Sequence, residues 1–167
     1  MTETSGVVIR TASDDDIEAL VDIYVSSARH HVALDPDPYV VPEPEAVAKH
    51  LRETLDLDQE ESVRLVADVG GRVVGSARIE LRHPSPASML RPVLAAWVDV
   101  AVLEGQRGNG IGSRLMQAAE QWAREHGAGL MMLDASVANL DALRFYEQRH
   151  GYRRSGVLMR KPIDPVG

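Results

Sequence analysis

A stretch rich in glycine, EGQRGNGIG, has the residue types and the spacing of an anion-binding loop. It covers residues 104–112 and lies between an apolar run and a segment with the periodicity of an amphipathic helix. Glycine lets the backbone approach a ligand closely. A loop that leads into a helix presents backbone N–H groups together with the positive end of the helix dipole. The stretch therefore predicts a phosphate-binding site, with Arg107 adding positive charge at its rim.

Three other interpretations of this loop are weaker. A nucleotide triphosphate loop needs Lys and then Ser or Thr after its last glycine, whereas Ile111 and Gly112 follow Gly110. A dinucleotide fingerprint that begins at Gly108 needs Gly or Ala at the position of Ser113. A purely structural turn needs one or two glycines, and the stretch contains four. The stretch therefore favours a ligand that carries phosphate but is neither a nucleoside triphosphate nor a dinucleotide.

The loop and two neighbouring stretches resemble the GNAT superfamily of N-acetyltransferases, which transfer acetyl groups from acetyl-coenzyme A to amines. RGNGIG at residues 107–112 matches the superfamily pattern of Arg or Gln, two residues, Gly, one residue, and Gly or Ala. NLDALRFY at residues 139–146 is similar to its N-x-x-A-x-x-F-Y pattern. VAV at residues 100–102 looks like the strand whose backbone pairs with the pantetheine arm. Two motifs at this separation are much more specific than either one alone.

The resemblance implies a fold, a co-substrate and a set of binding residues. The implied fold is α/β, of the mixed α+β kind found in acyl-CoA N-acyltransferases, with a central twisted mixed sheet flanked by helices. Acetyl-CoA is the implied co-substrate, and no metal is implied. The residues that the resemblance assigns to acetyl-CoA binding are Val100, Ala101, Val102, Arg107, Gly108, Asn109, Gly110, Ile111, Gly112, Ser113 and Asn139.

The resemblance also assigns chemical roles. Tyr146 would give a proton to the departing thiolate. A backbone N–H of Val100 or Val102 would polarise the thioester carbonyl. Asn139 would hold the pantetheine. The implied acceptor is a primary amine of a small molecule or of a protein.

Two alternatives to acetyl transfer stay open. One is a catalytically silent domain that holds coenzyme A or an acyl derivative as a sensor or partner module. The other is a transferase that uses a different acyl donor. Both keep the same binding loop and differ only in what happens at the thioester.

The general base stays open as well. Ala96 and Val98 share a strand face with Val100, where some relatives carry an acid or histidine, and neither side chain can take a proton. Asp99 is expected to point to the opposite face. Glu80 on the neighbouring strand, a chain of waters, or an amine that arrives already deprotonated are the alternatives.

The second motif departs from the superfamily pattern at one place. Three residues usually separate its Tyr from a Gly-aromatic pair, whereas EQRH at residues 147–150 separates Tyr146 from Gly151 and Tyr152. The extra residue is expected to bulge the end of the helix. It affects the position of the final strands more than that of Tyr146.

The elements that position these residues follow from hydrophobic periodicity and turn residues. After a short strand, Ser13 opens a helix whose first turn holds the acidic run 14–16. The proline-rich stretch 35–45 predicts a surface loop, and Gly70 with Gly71 predicts a tight hairpin turn. The predicted elements are a strand at 7–10, a helix from 14, a helix at about 45–55, paired strands within 62–81, a strand within 93–103, a helix from 111 to near 127, a strand at 130–134, a helix from 139 to about 149, and one or two strands within 152–159.

Composition narrows the class of protein. A chain of 167 residues that is 44% hydrophobic predicts one domain over residues 1–167. The absence of cysteine excludes disulfides and thiolate metal sites. The acidic run 14–16 suits a helix start, and His30 and His31 project about 100° apart on a helix, so neither predicts a metal site.

Charge and hydropathy bear on location and partners. A net charge of -7 argues against a nucleic-acid partner, which needs clustered Lys and Arg. No stretch approaches the roughly 20 apolar residues of a membrane span. We therefore expect a cytoplasmic protein with no membrane partner, and an edge strand near the C-terminus offers a surface for a homodimer.

Overall fold

The computed structural model describes residues 6–55 and 60–163. The predicted single domain extends over 1–167, and its segments 1–5, 56–59 and 164–167 lie outside the described residues. The elements are β1 (Val7–Thr11), a 3-10 turn (Asp14–Asp16), α1 (Ile17–Leu34), α2 (Pro44–Leu55), β2 (Ser62–Val69), β3 (Arg72–Arg82), β4 (Ala95–Val102), α3 (Ile111–Glu125), β5 (Leu130–Met132), α4 (Leu140–Arg144) and a π-helical turn (Phe145–Arg149).

The strands form one mixed sheet in the order β1-β2-β3-β4-β5. The first four strands are antiparallel to their neighbours, and β5 is parallel to β4. The β4–β5 pairing covers only Ala95–Leu130, Ala96–Met131 and Trp97–Met132. From Val98 onward β4 has no strand partner on that side within the described chain, which leaves a cleft between the two strands. The predicted mixed sheet flanked by helices is confirmed.

Helices cover both faces of the sheet, and each face has its own apolar core. Alternate residues of β2, β3 and β4 pack with α3, whose Leu115 and Met116 are fully buried. The opposite face packs against α1 and α2 through a smaller core that includes Leu20, Leu51 and Val66. Since side chains alternate between faces along a strand, this division fixes which residues of β4 face which helices.

The hairpin and the helix α3 agree with the sequence-based predictions. Gly70 and Gly71 both have positive φ, 62° and 86°, which a two-residue hairpin turn requires. The carboxylate of Asp68 accepts a hydrogen bond from the Gly71 N–H at 2.7 Å and fixes the turn. Helix α3 begins at Ile111 and ends at Glu125, close to the predicted Gly127.

The predicted final strands are wrong. Residues 150–163 form no strand, and Val157, Leu158 and Met159 are 85–91% exposed. The segment is held instead against the π-helical turn, because Tyr152 N–H donates to the carbonyl of Tyr146 at 3.1 Å. A strand needs a partner along its length, and β5 is only three residues long.

The acidic run after Ser13 does more than begin a helix. Asp14–Asp16 form a 3-10 turn with a reciprocal capping box between Ser13 and Asp16. Asp16 is buried and accepts two hydrogen bonds from the guanidinium of Arg10, at 2.7 and 2.8 Å. This bidentate pair joins β1 to the start of α1.

We expect Asp16→Asn to lower the free energy of unfolding at pH 7 by about 1–2 kcal/mol, a value limited by the partial exposure of Arg10. The hydrogen bonds from Arg10 lower the pKa of Asp16 from 3.8 to about 2. The contribution of the carboxylate is therefore complete above about pH 4 and is lost as the pH falls toward 2.

Urea unfolding of both proteins at pH 7 and pH 3 measures this contribution. The difference between wild type and Asp16→Asn should be smaller at pH 3. Asp15→Asn is the matched control, because Asp15 is exposed, and it should change stability by less than about 0.5 kcal/mol. An equal loss at both pH values would contradict the assignment.

Candidate active site

The cleft beside β4 is the main cavity of the described structure. It has a volume of about 600 Å³, within the range of small-molecule sites. One wall is the free edge of β4, the floor is the glycine loop, and the opposite wall is α4 with its π-helical turn. Ten of the residues predicted from the sequence line it: Val100, Ala101, Val102, Arg107, Gly108, Gly110, Gly112, Ser113, Asn139 and Tyr146.

The glycine loop has the backbone geometry of an anion-binding site. Gly105, Gly108 and Gly110 have φ of 82°, 81° and 77°, a region that other residues rarely adopt. No N–H group of residues 107–113 donates to an acceptor within the described chain. The last three of these groups are the open N-terminus of α3, where the helix dipole favours negative charge.

Two of the glycines are needed for different reasons. A side chain at Gly110 would meet no heavy atom within 4 Å, so it is the positive φ that calls for glycine there. A Cβ at Gly112 would lie 3.3 Å from the Phe145 ring. The first motif therefore touches the second, and the close approach of Gly112 to Phe145 fixes where the neighbouring Tyr146 lies.

The free edge of β4 offers backbone groups to the cleft. Leu103 N–H donates to the carbonyl of Val74 on β3 at 2.9 Å. In an antiparallel pair, alternate residues bond to the same neighbour, so Val100 and Val102 direct their peptide groups to the opposite side. The Val102 carbonyl accepts a hydrogen bond from Arg107 Nε at 3.1 Å. The peptide groups of Val100 remain open to an extended ligand.

Asn139 begins the helix that carries Tyr146. Its Oδ1 accepts a hydrogen bond from Ala142 N–H at 3.1 Å, which satisfies one N–H of the first turn of α4. Its amide nitrogen has no hydrogen-bond partner among the residues that the structure describes. Asn139 is thus a helix cap whose amide can also donate to a ligand in the cleft.

The π-helical turn accommodates the extra residue in the second motif. A π-helix has one more residue per hydrogen-bonded turn than an α-helix, and Phe145–Arg149 is such a turn. The predicted bulge of the helix end is therefore confirmed. The turn lies directly at Tyr146, so the insertion is absorbed without moving this residue out of the cleft.

Tyr146 is a titratable side chain that lines the cleft from the π-helical turn. Burial, with a smaller effect of the negative charge of Asp99, raises its pKa to about 12. Its ring packs edge-on against those of Phe145 and Tyr152, with centroids 5.2 and 5.8 Å away. The phenol therefore keeps its proton at neutral pH and can donate it.

Tyr152 has a buried hydroxyl with no hydrogen-bond partner within the described residues. Burial raises its pKa above the ordinary value. An unpaired buried hydroxyl costs free energy, so this atom is a candidate to contact a ligand or a water beside Tyr146. The sequence indicated Tyr152 only as the aromatic residue after Gly151.

Several cleft residues were missed by the sequence-based prediction. His30 and His31 of α1 line the cavity, as do Arg144 and Arg149. Burial, and then the positive charge of Arg107, lowers the pKa of His30. In the sequence the histidine pair was considered as a possible metal site, and it is the packing of α1 against the sheet that brings the pair to the cleft.

Two predicted binding residues do not line the cavity. The side chain of Ile111 is buried in the core under α3, and Asn109 donates weakly to the Gln106 carbonyl at 3.5 Å. Glu80, a candidate base, lies outside the cavity and pairs with Arg78 at 3.2 Å. Within the described ranges, no cluster of His, Asp and Glu could hold a metal ion.

Comparison with known proteins identifies the family. The family model of the GNAT acetyltransferases matches residues 18–152, most of the chain. The chain belongs to the GNAT acetyltransferase family. The members of this family use acetyl-CoA, and the residues in the cleft fit that co-substrate, with unpaired N–H groups for its diphosphate and a free strand edge for its pantetheine arm.

Individual GNAT relatives match over parts of the chain. The aminoalkylphosphonate N-acetyltransferase of Salmonella typhimurium is 36% identical over 94 residues, 56% of this chain and 58% of that protein. A mutant of the BH1408 protein from Bacillus halodurans has the same fold, with a TM-score of 0.84 at 23% identity over 93% of this chain and 99% of its own.

A second solved structure shares the GNAT fold. It is the aminoglycoside N-acetyltransferase AAC(6')-Iy in complex with CoA, with a TM-score of 0.69 at 19% identity over 98% of this chain and 99% of that chain. The chain spans only 28–62% of the length of the curated relatives that it matches.

We expect Gly112→Val to weaken the binding of coenzyme A at least about tenfold, because the new side chain pushes the Phe145 ring, and with it Tyr146, into the cleft. Isothermal titration calorimetry measures the dissociation constant. The double variant Gly112→Val/Phe145→Leu removes the colliding ring and should recover part of the affinity.

Gly156→Val is the control for this experiment. A side chain at Gly156 meets nothing within 4 Å, and its φ is not positive. It should bind coenzyme A as the wild type does. Unchanged affinity in Gly112→Val would contradict the proposed contact between the two motifs.

Proposed function

We propose that the protein is an N-acetyltransferase that moves an acetyl group from acetyl-CoA to a primary amine of a small molecule or a protein. The observation that carries the proposal is the glycine loop of residues 107–113, whose N–H groups are unpaired beside the free edge of β4, with Tyr146 on the facing wall. Membership of the GNAT family supports the same reaction.

The proposal gives each wall of the cleft a part of acetyl-CoA. The diphosphate is bound by the N–H groups of residues 107–113, with positive charge from Arg107, Arg144 and Arg149 around it. The pantetheine arm extends along Val100 as an added strand, and the amide of Asn139 donates to it from the other side. The neighbour AAC(6')-Iy was solved in complex with CoA, which supports CoA as the ligand.

The chain then supplies two groups to the reaction. The amine nitrogen bonds to the acetyl carbon, the carbon–sulfur bond breaks, the amine loses one proton and the departing sulfur gains one. The N–H of Val100 stabilises the carbonyl oxygen as negative charge develops on it. Tyr146 donates the proton that the sulfur takes up, since its phenol is protonated at neutral pH.

The proton of the amine goes to solvent in this proposal, and Tyr146 regains a proton from solvent after it has protonated the sulfur. Ala96 and Val98 are buried under α3 and have no basic group, and Glu80 is paired outside the cavity. An amine that reaches the thioester already neutral needs no base from the chain. Rates should therefore rise with pH until the acceptor is fully deprotonated.

A catalytically silent CoA-binding domain is the competing proposal, favoured by the absence of a basic side chain at the two β4 positions described above. A single domain over residues 1–167, a cytoplasmic location and the absence of a nucleic-acid partner stay predictions. A homodimer also stays a prediction. The C-terminal strand that was expected to form its interface is absent from the described residues, in which β5 is the edge of the sheet on that side.

We expect release of free thiol when the protein is mixed with acetyl-CoA and a panel of primary amines. Tyr146→Phe should lower kcat at least about a hundredfold, because the proton donor is lost, and leave the dissociation constant of CoA unchanged. Tyr39→Phe is the matched control, since Tyr39 lies outside the cavity.

Tight CoA binding without turnover of any amine would support the silent domain and contradict acetyl transfer. Equal turnover in Tyr146→Phe and in the wild type would retain acetyl transfer and contradict the role of Tyr146.

A further inference from the structure

Three charged residues stand in one row across the sheet. Arg64 of β2 lies directly opposite Arg78 of β3, and Arg78 lies directly opposite Asp99 of β4. All three are on the sheet face that α1 and α2 cover, because Val66 and Ala101, two residues further along their strands, pack in the core beneath these helices. The row therefore lies where that apolar core ends.

The two arginines form an unfavourable pair in the absence of a ligand. Like charges directly opposite each other destabilise a sheet. Arg78 is compensated by Glu80 on the same strand, at 3.2 Å. Arg64 is partly buried and its side chain has no hydrogen bond or ion pair within the described chain. Burial, followed by the charge of Arg78, lowers its pKa. The row thus holds a cation without a bonded counter-ion.

The other end of the row holds Asp99, an anion that also lacks a bonded counter-ion among the described residues. Asp99 is exposed and makes no hydrogen bond or ion pair with any residue that the structure describes. Its charge acts on Tyr146, whose pKa it helps to raise. Asp99 also directly precedes Val100 on β4, so the row ends beside the strand edge that lines the cleft.

The spacing of the row fits a small molecule that carries one negatively charged group and one positively charged group. Two strand-to-strand steps of about 4.8 Å separate the backbones of Arg64 and Asp99. Arg64 and Arg78 also line a cleft of only about 10 Å³, together with Thr11 and Thr54. That space holds roughly one water molecule, so a compact acidic group would bind at its mouth.

We propose that the acceptor is an amine that also carries an acidic group, a carboxylate or a phosphonate, bound by Arg64 and Arg78 with its ammonium group directed to Asp99. The proposal rests on the acetyl-transfer function and names its substrate class. Arginine suits this role because its planar fork donates two parallel hydrogen bonds to an acid. A polycationic acceptor would bring positive charge against two arginines, which disfavours it.

The test compares amines that differ in the acidic group. Thiol release is followed with 2-aminoethylphosphonate and β-alanine, with propylamine as the neutral analogue and with an aminoglycoside as the polycation. We expect kcat/KM to be at least about tenfold higher for one of the acidic amines than for propylamine. Arg64→Gln should reduce this ratio at least about tenfold, mainly through KM, and Arg64→Lys should restore part of it.

Arg72→Gln is the matched control, because Arg72 is exposed at the hairpin far from the row, and it should leave the ratio unchanged. The dissociation constant of CoA should be the same in all these variants, which checks that they are folded. A preference for propylamine or the aminoglycoside, or a ratio that Arg64→Gln does not change, would overturn the proposal.

Failure of the substrate class and failure of acetyl transfer can be distinguished. If no amine is turned over, calorimetry with 2-aminoethylphosphonate and CoA-saturated protein tests the row alone. If the wild type binds 2-aminoethylphosphonate and Arg64→Gln does not, the result would support the row as the binding site for the acidic group and would contradict acetyl transfer. If the wild type does not bind 2-aminoethylphosphonate, the proposal that the row binds an acidic amine would be overturned as well.

Discussion

Unpaired backbone groups are the constraint on which the rest of the structure depends. Residues 107–110 are exposed, so solvent satisfies their N–H groups in the free protein, and an anion at the helix N-terminus can replace that solvent. Here β4 leaves β5 after Trp97, and the loop that follows leaves the N–H groups of residues 107–113 without acceptors. A diphosphate with an extended arm would satisfy both sets, which is why the family's co-substrate fits.

The two faces of β4 have different surroundings. Val98 and Val100 pack toward α3 and keep the strand in place. On the other face, Asp99 continues a charged row that ends at Arg64. Because successive side chains point to opposite faces, one short strand can carry both a core and the proposed polar recognition surface, with the proposed thioester site at its free edge.

Local features of the sequence predicted ten of the residues that line the cleft. The positive φ of Gly108 and Gly110 and the hairpin at Gly70 depend on few neighbouring residues, and the sequence specifies them directly. The bulge in the second motif was predicted from one extra residue and is a π-helical turn. Features that depend on pairing between distant segments were missed or wrong, including the pair Arg10–Asp16 and the final strands. The row from Arg64 to Asp99 needs the register of three strands, which no local pattern supplies.

The central claim is that the main chain of the glycine loop binds the diphosphate of coenzyme A. Calorimetric titration of CoA into Gly110→Leu and Gly71→Leu tests it most directly, because both glycines have positive φ and open space around them, so both variants carry similar backbone strain. We predict at least about tenfold weaker binding in Gly110→Leu and wild-type binding in Gly71→Leu. Equal affinity in the two variants would contradict the claim.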